Sequence, residues 1–178
     1  MTMRFRPFGF AAALIVFVLD QAAKYGITET LNLDTLGGER TITSFFQLRF
    51  VPNVGVSLGL LPAGSDTMRW GLVAMTGLIA LGVVVWLLIE KNRQDQIALG
   101  LVLGGAIGNI IDRVRLGYVV DFADLHFGEW RPFLVFNVAD AAITIGVLLL
   151  LVRALLTRDK PLERPDGAEP ESVENANA

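Results

Sequence analysis

The sequence predicts an all-α polytopic membrane protein with four transmembrane helices and a small extracytoplasmic β element. Of its 178 residues, 53% are apolar and only 19% are charged. Four long segments are almost entirely apolar, and about 20 such residues cross a bilayer core. The chain has no cysteine and a single histidine, His126. Disulfides and thiolate sites are therefore excluded, and no metal or other cofactor is expected.

The predicted spans are residues 8–25, 70–89, 97–111 and 133–156. The first follows two arginines and could be mistaken for a cleaved signal peptide. The apolar run is followed by Asp20 and Lys24 and not by a small-x-small cleavage site, which indicates an uncleaved spanning helix. The third span is short, and Asn109 and Asp112 can complete it only if they face protein or water.

The predicted spans divide the chain into a membrane domain, residues 1–156, and a tail, residues 157–178. Within the domain, residues 26–69 form an extracytoplasmic insertion. Its segment 41–51 is rich in β-branched and aromatic residues and predicts one or two strands. These strands could lie on the membrane surface or fold over the bundle as an ordinary hairpin. The tail holds six acidic and three basic residues with little apolar content, so we expect it to be disordered.

Lysine and arginine placement favours cytoplasmic N- and C-termini, because Arg4, Arg6, Lys91, Arg93 and Arg153 crowd the helix ends of that side. This orientation puts the two connections 26–69 and 112–132 outside. The formal net charge is −3 and no basic patch is present, so nucleic acid is not an expected partner.

Two aspartates carry the functional prediction. Asp140 lies inside the apolar run 133–152, and Asp121 precedes that run in the segment VVDF. An ionisable residue in a spanning helix costs about 2.5–3.5 kcal/mol and by default marks a functional site. Two carboxylates that share one site keep one proton between them, which suits acid/base activation of water. Asp121 could alternatively be a loop cap.

Asn137, Asp140 and Thr144 share one face of the fourth span, and we expect this stripe to face the bundle interior. A purely structural polar contact between helices would suit Asn or Thr better than Asp. Asp140 should lie about two helical turns into its span, near 10 Å below its start.

Further polar residues fall at the same predicted membrane level. Asp20 and Lys24 form an i,i+4 pair that either joins two helices or braces the outer polar cluster. Asn109, Asp112 and Arg113 end the third span, and Arg113 could hold carbonyl or phosphate groups. The third span also carries a Gly100, Gly104, Gly108 stripe, which predicts close helix packing.

Other function classes fit parts of the pattern. The segment GVSLG at 55–59 matches a nucleophile-elbow motif with Ser57, but that motif needs an α/β sheet that this sequence does not predict. Intramembrane aspartates also occur in proton-coupled transporters, which usually show internal repeats that are absent here. A structural membrane partner with buried polar contacts is the third alternative.

The ordered motifs GGAIGNIIDR at 104–113, VVDF at 119–122 and FNVADAAI at 136–143 resemble bacterial lipoprotein signal peptidase, also called signal peptidase II. The segments DQAAK at 20–24 and NVG at 53–55 are similar to two upstream motifs of that family. The resemblance implies four spans with a membrane-lying β-cradle in the bacterial inner membrane. It also implies an aspartyl endopeptidase that cleaves lipid-modified prolipoproteins before the diacylglyceryl-modified cysteine.

Carried over by this resemblance, Asp121 and Asp140 are the catalytic pair, and which of them holds the proton at rest stays open. The expected substrate-binding residues are Asn53, Asn109, Arg113 and Asn137; the expected supporting residues are Asp20, Lys24 and Asp112. Expected partners are prolipoproteins and membrane lipids, and the enzyme is expected to be a monomer. Two departures, VSL at 56–58 and Leu134, affect the cleft wall and not the aspartates.

Overall fold

The computed structural model describes residues 6–35, 38–55 and 65–157. The described residues form four α-helices: α1 (Pro7–Tyr25), α2 (Asp66–Ile89), α3 (Arg93–Leu116) and α4 (Val138–Thr157). A π-helical turn, Gly26–Thr30, continues α1. All four helices are long and apolar enough to cross a membrane, so the predicted four-span architecture is confirmed. Ser57, the departure at 56–58 and nearly all of the acidic tail lie outside the described residues.

Helix α3 is the central helix of the bundle and packs against α1, α2 and α4. Its glycines make this possible, since a Cβ on Gly100 or Gly104 would collide with backbone of α1, and one on Gly105 with backbone of α4. Gly108 leaves room for the carboxylate of Asp20. The predicted close packing along the glycine stripe is confirmed.

The prediction that the fourth span begins at residue 133 is wrong, because α4 begins at Val138. Just before it, Phe136 pairs with another strand: the N–H of Phe136 donates to Ala123 O at 3.1 Å, and the N–H of Ala123 donates to Phe136 O at 2.7 Å. Asp140 therefore lies in the first helical turn of α4. The predicted depth of two turns for Asp140 is also wrong.

The third span is longer than predicted. Polar residues extend α3 at both ends, from Arg93 to Leu116, and the helix ends at Gly117, whose φ of 88° ordinary residues rarely adopt. Asn109, Asp112 and Arg113 thus lie within the last two turns of a helix, facing protein groups.

Three antiparallel strands form a sheet in the order β1 (Glu39–Thr43), β2 (Phe46–Asn53) and β3 (Val119–Leu125). The hairpin β1–β2 confirms the strands predicted in segment 41–51. Strand β3 was not predicted; it is buried on both faces, and the Phe136 segment pairs with it on the side away from β2. The register places Val51 opposite Asp121 and Asn53 opposite Val119, which brings Asn53 to the site described below.

Candidate active site

Asp121 and Asp140 come together where β3 meets the beginning of α4. Asn137 joins them: its Nδ2 donates to Asp121 Oδ1 at 2.6 Å, and its Oδ1 accepts from the Asp140 backbone N–H at 2.8 Å. The second contact satisfies one of the free N–H groups at the helix start, as N-capping asparagines do. The same residue therefore starts α4 and holds the carboxylate of β3.

Asp121 is only 2% exposed. Its Oδ2 accepts from Asn53 Nδ2 at 2.9 Å, and the register of β2 against β3 makes this contact possible. Burial raises the pKa of Asp121 to about 6, and the negative charge of Asp140 also raises it, against the opposing effects of hydrogen bonds from Asn53 and Asn137 and the charge of Lys24. A carboxyl group with such a pKa can exchange a proton near neutral pH.

Asp140 is half-buried, and its Oδ1 accepts from Asn109 Nδ2 at 2.8 Å. Thr144 is exposed, and its hydroxyl donates to the backbone carbonyl of Asp140 at 2.8 Å. The predicted inward-facing stripe is thus right for Asn137 and wrong for Thr144. Asp140 lies where this helix face turns from the bundle interior to its surface.

Asp20, Lys24 and Asp112 form a buried ion triad behind the site. Lys24 Nζ lies 2.8 Å from Asp20 Oδ2 and 2.7 Å from Asp112 Oδ2. The Asp20–Lys24 pair both joins helices and braces the polar cluster, because Asp20 Oδ1 also accepts a hydrogen bond from the backbone N–H of Ala139 in α4 at 2.9 Å. Asp112 Oδ2 accepts from the N–H of Val120, which fixes the start of β3.

Gln21 is a member of this cluster that sequence reasoning missed. Its Nε2 donates to Asp112 Oδ1 at 3.0 Å and to Asp20 Oδ2 at 3.2 Å. Its position directly after Asp20 gave no signal, because adjacent residues on a helix do not share a face.

Arg113 extends the cluster toward the two aspartates. It is half-buried, its Nη1 donates to the carbonyl of Asn109 at 3.5 Å, and its charge interacts with Asp140 and Asp121. Within the described part of the chain, its buried Nε has no hydrogen-bond partner.

An apolar groove of about 320 Å³ opens beside Asp140. Its other lining residues are Leu125, Phe133, Leu134, Phe136, Ala141, Thr144 and Ile145. Leu134 is 91% exposed at its rim. Asp140 thus meets an apolar surface on one side, and on the other it is linked through Asn109 to the buried ion triad.

The family described as signal peptidase (SPase) II matches residues 12–156 of the chain. The chain belongs to the signal peptidase II family. Its relatives include the lipoprotein signal peptidases of Rhizorhabdus wittichii, 60% identical over 90% of this chain and 94% of that protein, and of Sphingopyxis alaskensis, 54% identical over 86% and 88%. The lipoprotein signal peptidase of Burkholderia vietnamiensis is 42% identical over 78% of this chain and 82% of its own length.

Solved structures of bacterial membrane enzymes share the fold of this signal peptidase II. A bacterial membrane enzyme structure obtained by the in meso method at 2.3 Å resolution superposes with a TM-score of 0.74 and 30% identity, covering 91% of this chain and 96% of that one. A second, at 1.9 Å, gives a TM-score of 0.72 and 31% identity.

Membership in signal peptidase II confirms the predicted class of enzyme, an aspartic peptidase that removes signal peptides from prolipoproteins. Four apolar helices and this family also identify a multi-pass protein of the bacterial inner membrane. The transporter, structural-partner and serine-hydrolase alternatives are therefore not supported.

Proposed function

We propose that Asp121 and Asp140 are the catalytic pair of this signal peptidase. The observation that carries the proposal is the hydrogen-bonded network in which Asn137 joins Asp121 to Asp140, with Asp140 lining an apolar groove. Each carboxylate keeps free lone pairs that can face a water and a peptide carbonyl. Arg113, with a buried nitrogen free of partners among the described residues, is proposed to bind a backbone carbonyl of the substrate.

In the proposed reaction Asp121 carries the shared proton and Asp140 is the base. Asp140 takes a proton from water while the hydroxide bonds to the scissile carbonyl carbon and Asp121 protonates the carbonyl oxygen. Asp140 then gives its proton to the leaving amine as the C–N bond breaks, and Asp121 recovers its proton from the diol. The raised pKa of Asp121 supports this division of roles.

The three asparagines were expected to bind substrate, and we propose a different main role for them. Asn53, Asn109 and Asn137 each donate an amide N–H to one of the two carboxylates. This arrangement supports a role in orienting the catalytic pair before substrate binds.

The pH dependence of kcat/KM tests the proton assignment. Because catalysis needs Asp121 protonated, kcat/KM should fall as the pH rises above about 6. The hydrogen bond from Asn53 favours the ionised form, so Asn53→Ala should raise the pKa of Asp121 and move this alkaline limb to higher pH. Thr41→Ala, an exposed change on the outer strand, is the control. A limb that stays in place or moves to lower pH would refute the assignment.

We also propose that both termini are cytoplasmic and that the catalytic pair lies at the outer membrane face. Arg6, Lys91, Arg93 and Arg153 lie toward the end of the bundle away from the sheet, as cytoplasmic basic residues do. Because the chain has no cysteine, single cysteines report accessibility directly. In spheroplasts, an impermeant maleimide should label Asp34→Cys at once and Lys91→Cys only after permeabilisation. The reverse pattern would overturn the orientation.

A further inference from the structure

The side-chain amides around the catalytic pair share one arrangement. In each of these amides, the oxygen accepts a hydrogen bond from a group that can only donate. The NH₂ group must therefore point at a carboxylate. The Asn53 oxygen accepts from the backbone N–H of Gly55 at 2.9 Å, and the Asn137 oxygen from that of Asp140 at 2.8 Å. Backbone donors thus fix these two amides, whatever the surrounding side chains are.

The amide of Asn109 is held differently. Its oxygen accepts from Lys24 Nζ at 3.2 Å, and its NH₂ donates to Asp140 Oδ1 at 2.8 Å. Asn137 Nδ2 also donates to the Asn109 oxygen, at 3.3 Å, and to Asp121 Oδ1 at 2.6 Å. Both donors to the Asn109 oxygen are therefore side chains, and of the two only Lys24 is charged.

Lys24 is well placed to hold this orientation. It is only 4% exposed, and Asp20 and Asp112 fix its ammonium group from two other directions. An ammonium has three N–H donors and no acceptor, so these three contacts use its full capacity. If Asn109 were flipped, its NH₂ would face the ammonium and its oxygen would face the carboxylate of Asp140, and both contacts would be repulsive.

We infer that Lys24 is a positioning residue for catalysis, which acts by orienting the Asn109 amide so that it donates to Asp140. The inference rests on the proposed role of Asp140. It assigns to the triad a function beyond joining α1 to α3, because the third N–H of Lys24 controls a group that touches a catalytic carboxylate. Lys24 itself contacts neither substrate nor reacting atoms.

The test replaces Lys24 without changing the charge of the triad. Asp20, Lys24 and Asp112 together carry one net negative charge, and so does the combination of Lys24→Met with Asp20→Asn. In the Asp20→Asn parent, Lys24→Met and Lys24→Gln have equal charge and similar length, and only Gln can donate to Asn109. We expect kcat to fall about tenfold or more with Met, KM to change less than threefold, and Gln to recover several-fold in kcat.

A double-mutant cycle separates positioning from simple packing. In an Asp20→Asn, Asn109→Ala background, adding Lys24→Met should lower kcat less than twofold, because the group through which Lys24 acts is gone. The thermal unfolding midpoint of each variant in detergent establishes that it is folded. An equal loss with and without Asn109, equal kcat for Gln and Met, or an effect confined to KM would overturn the inference.

If the Met variant does not fold, Asn109→Asp in the otherwise unchanged chain decides. Aspartate still accepts from Lys24 but has no N–H for Asp140, so kcat should fall at least as far as with Asn109→Ala. Unchanged kcat would overturn the inference. Full activity of Asp140→Asn would instead refute the catalytic pair, so the two failures are distinguishable.

Discussion

A precursor that lacks the diacylglyceryl group is expected to be cleaved at least 100-fold more slowly than the matched lipid-modified precursor. Each methylene of an acyl chain buried in the bilayer contributes about 0.8 kcal/mol, so two chains hold the cysteine firmly at the membrane. Asp140 lies in the first turn of its helix, beside an apolar groove. This position supports the proposal that the scissile bond is cleaved at the membrane boundary, where a lipid-anchored peptide is concentrated and oriented.

The comparison should use kcat/KM for two precursors of identical sequence, one modified and one with a free cysteine, in the same detergent or vesicles. Both carry the apolar signal peptide, so the difference isolates the contribution of the lipid. Leu134→Ala, a change at the groove rim, is an informative companion: if the groove contacts the lipid, it should slow the modified precursor more than the free one. Equal rates for the two precursors would show that the enzyme recognises only the peptide and not its lipid.

The two aspartates could be identified from the sequence because a carboxylate is unusual in or beside an apolar segment. A carboxylate inside or beside an apolar run is costly unless it is paired or used, so Asp140 and Asp121 stood out among the eighteen acidic residues. Helical spacing related Asp20 to Lys24 and Asn137 to Asp140. The structure brings all four residues, with Asn109 and Asp112, into one connected cluster.

Two features that the sequence did not predict, strand β3 and the late start of α4, depend on pairing between segments distant in sequence. Strand β3 is buried on both faces and carries an aspartate on each, so its sequence lacks the apolar–polar alternation of a half-buried strand. The apolar residues before Val138 continue the hydrophobic run of the fourth span, yet Phe136 pairs with Ala123 and so delays the helix. Hydropathy cannot distinguish these two uses of an apolar segment.

The roles of the asparagines could not be predicted for a different reason. Residue spacing places an amide near a carboxylate but does not say which end of the amide faces it. That choice depends on donors remote in sequence, as Lys24 is from Asn109, 85 positions away. Only the three-dimensional network shows that Asn53, Asn109 and Asn137 all present N–H groups to Asp121 or Asp140.

Asp121→Asn and Asp140→Asn are each expected to lower kcat at least 1,000-fold, since acid/base groups of this kind contribute about 100- to 10,000-fold and here each serves in both steps. An amide at 121 can no longer give a proton to the carbonyl oxygen, and its NH₂ would face a donor from Asn53 or Asn137. An amide at 140 cannot take a proton from water. Asp34→Asn, an exposed carboxylate outside the site, is the control and should keep normal turnover.

Turnover of a lipid-modified precursor by these two variants tests the central claim most directly. The variants should be purified in amounts and with unfolding midpoints comparable to the parent protein, so that lost activity does not reflect lost insertion. The account predicts that neither releases signal peptide above the background rate while Asp34→Asn does so normally. Turnover within tenfold of the parent by either Asp121→Asn or Asp140→Asn would contradict the assignment of these two residues as the catalytic pair.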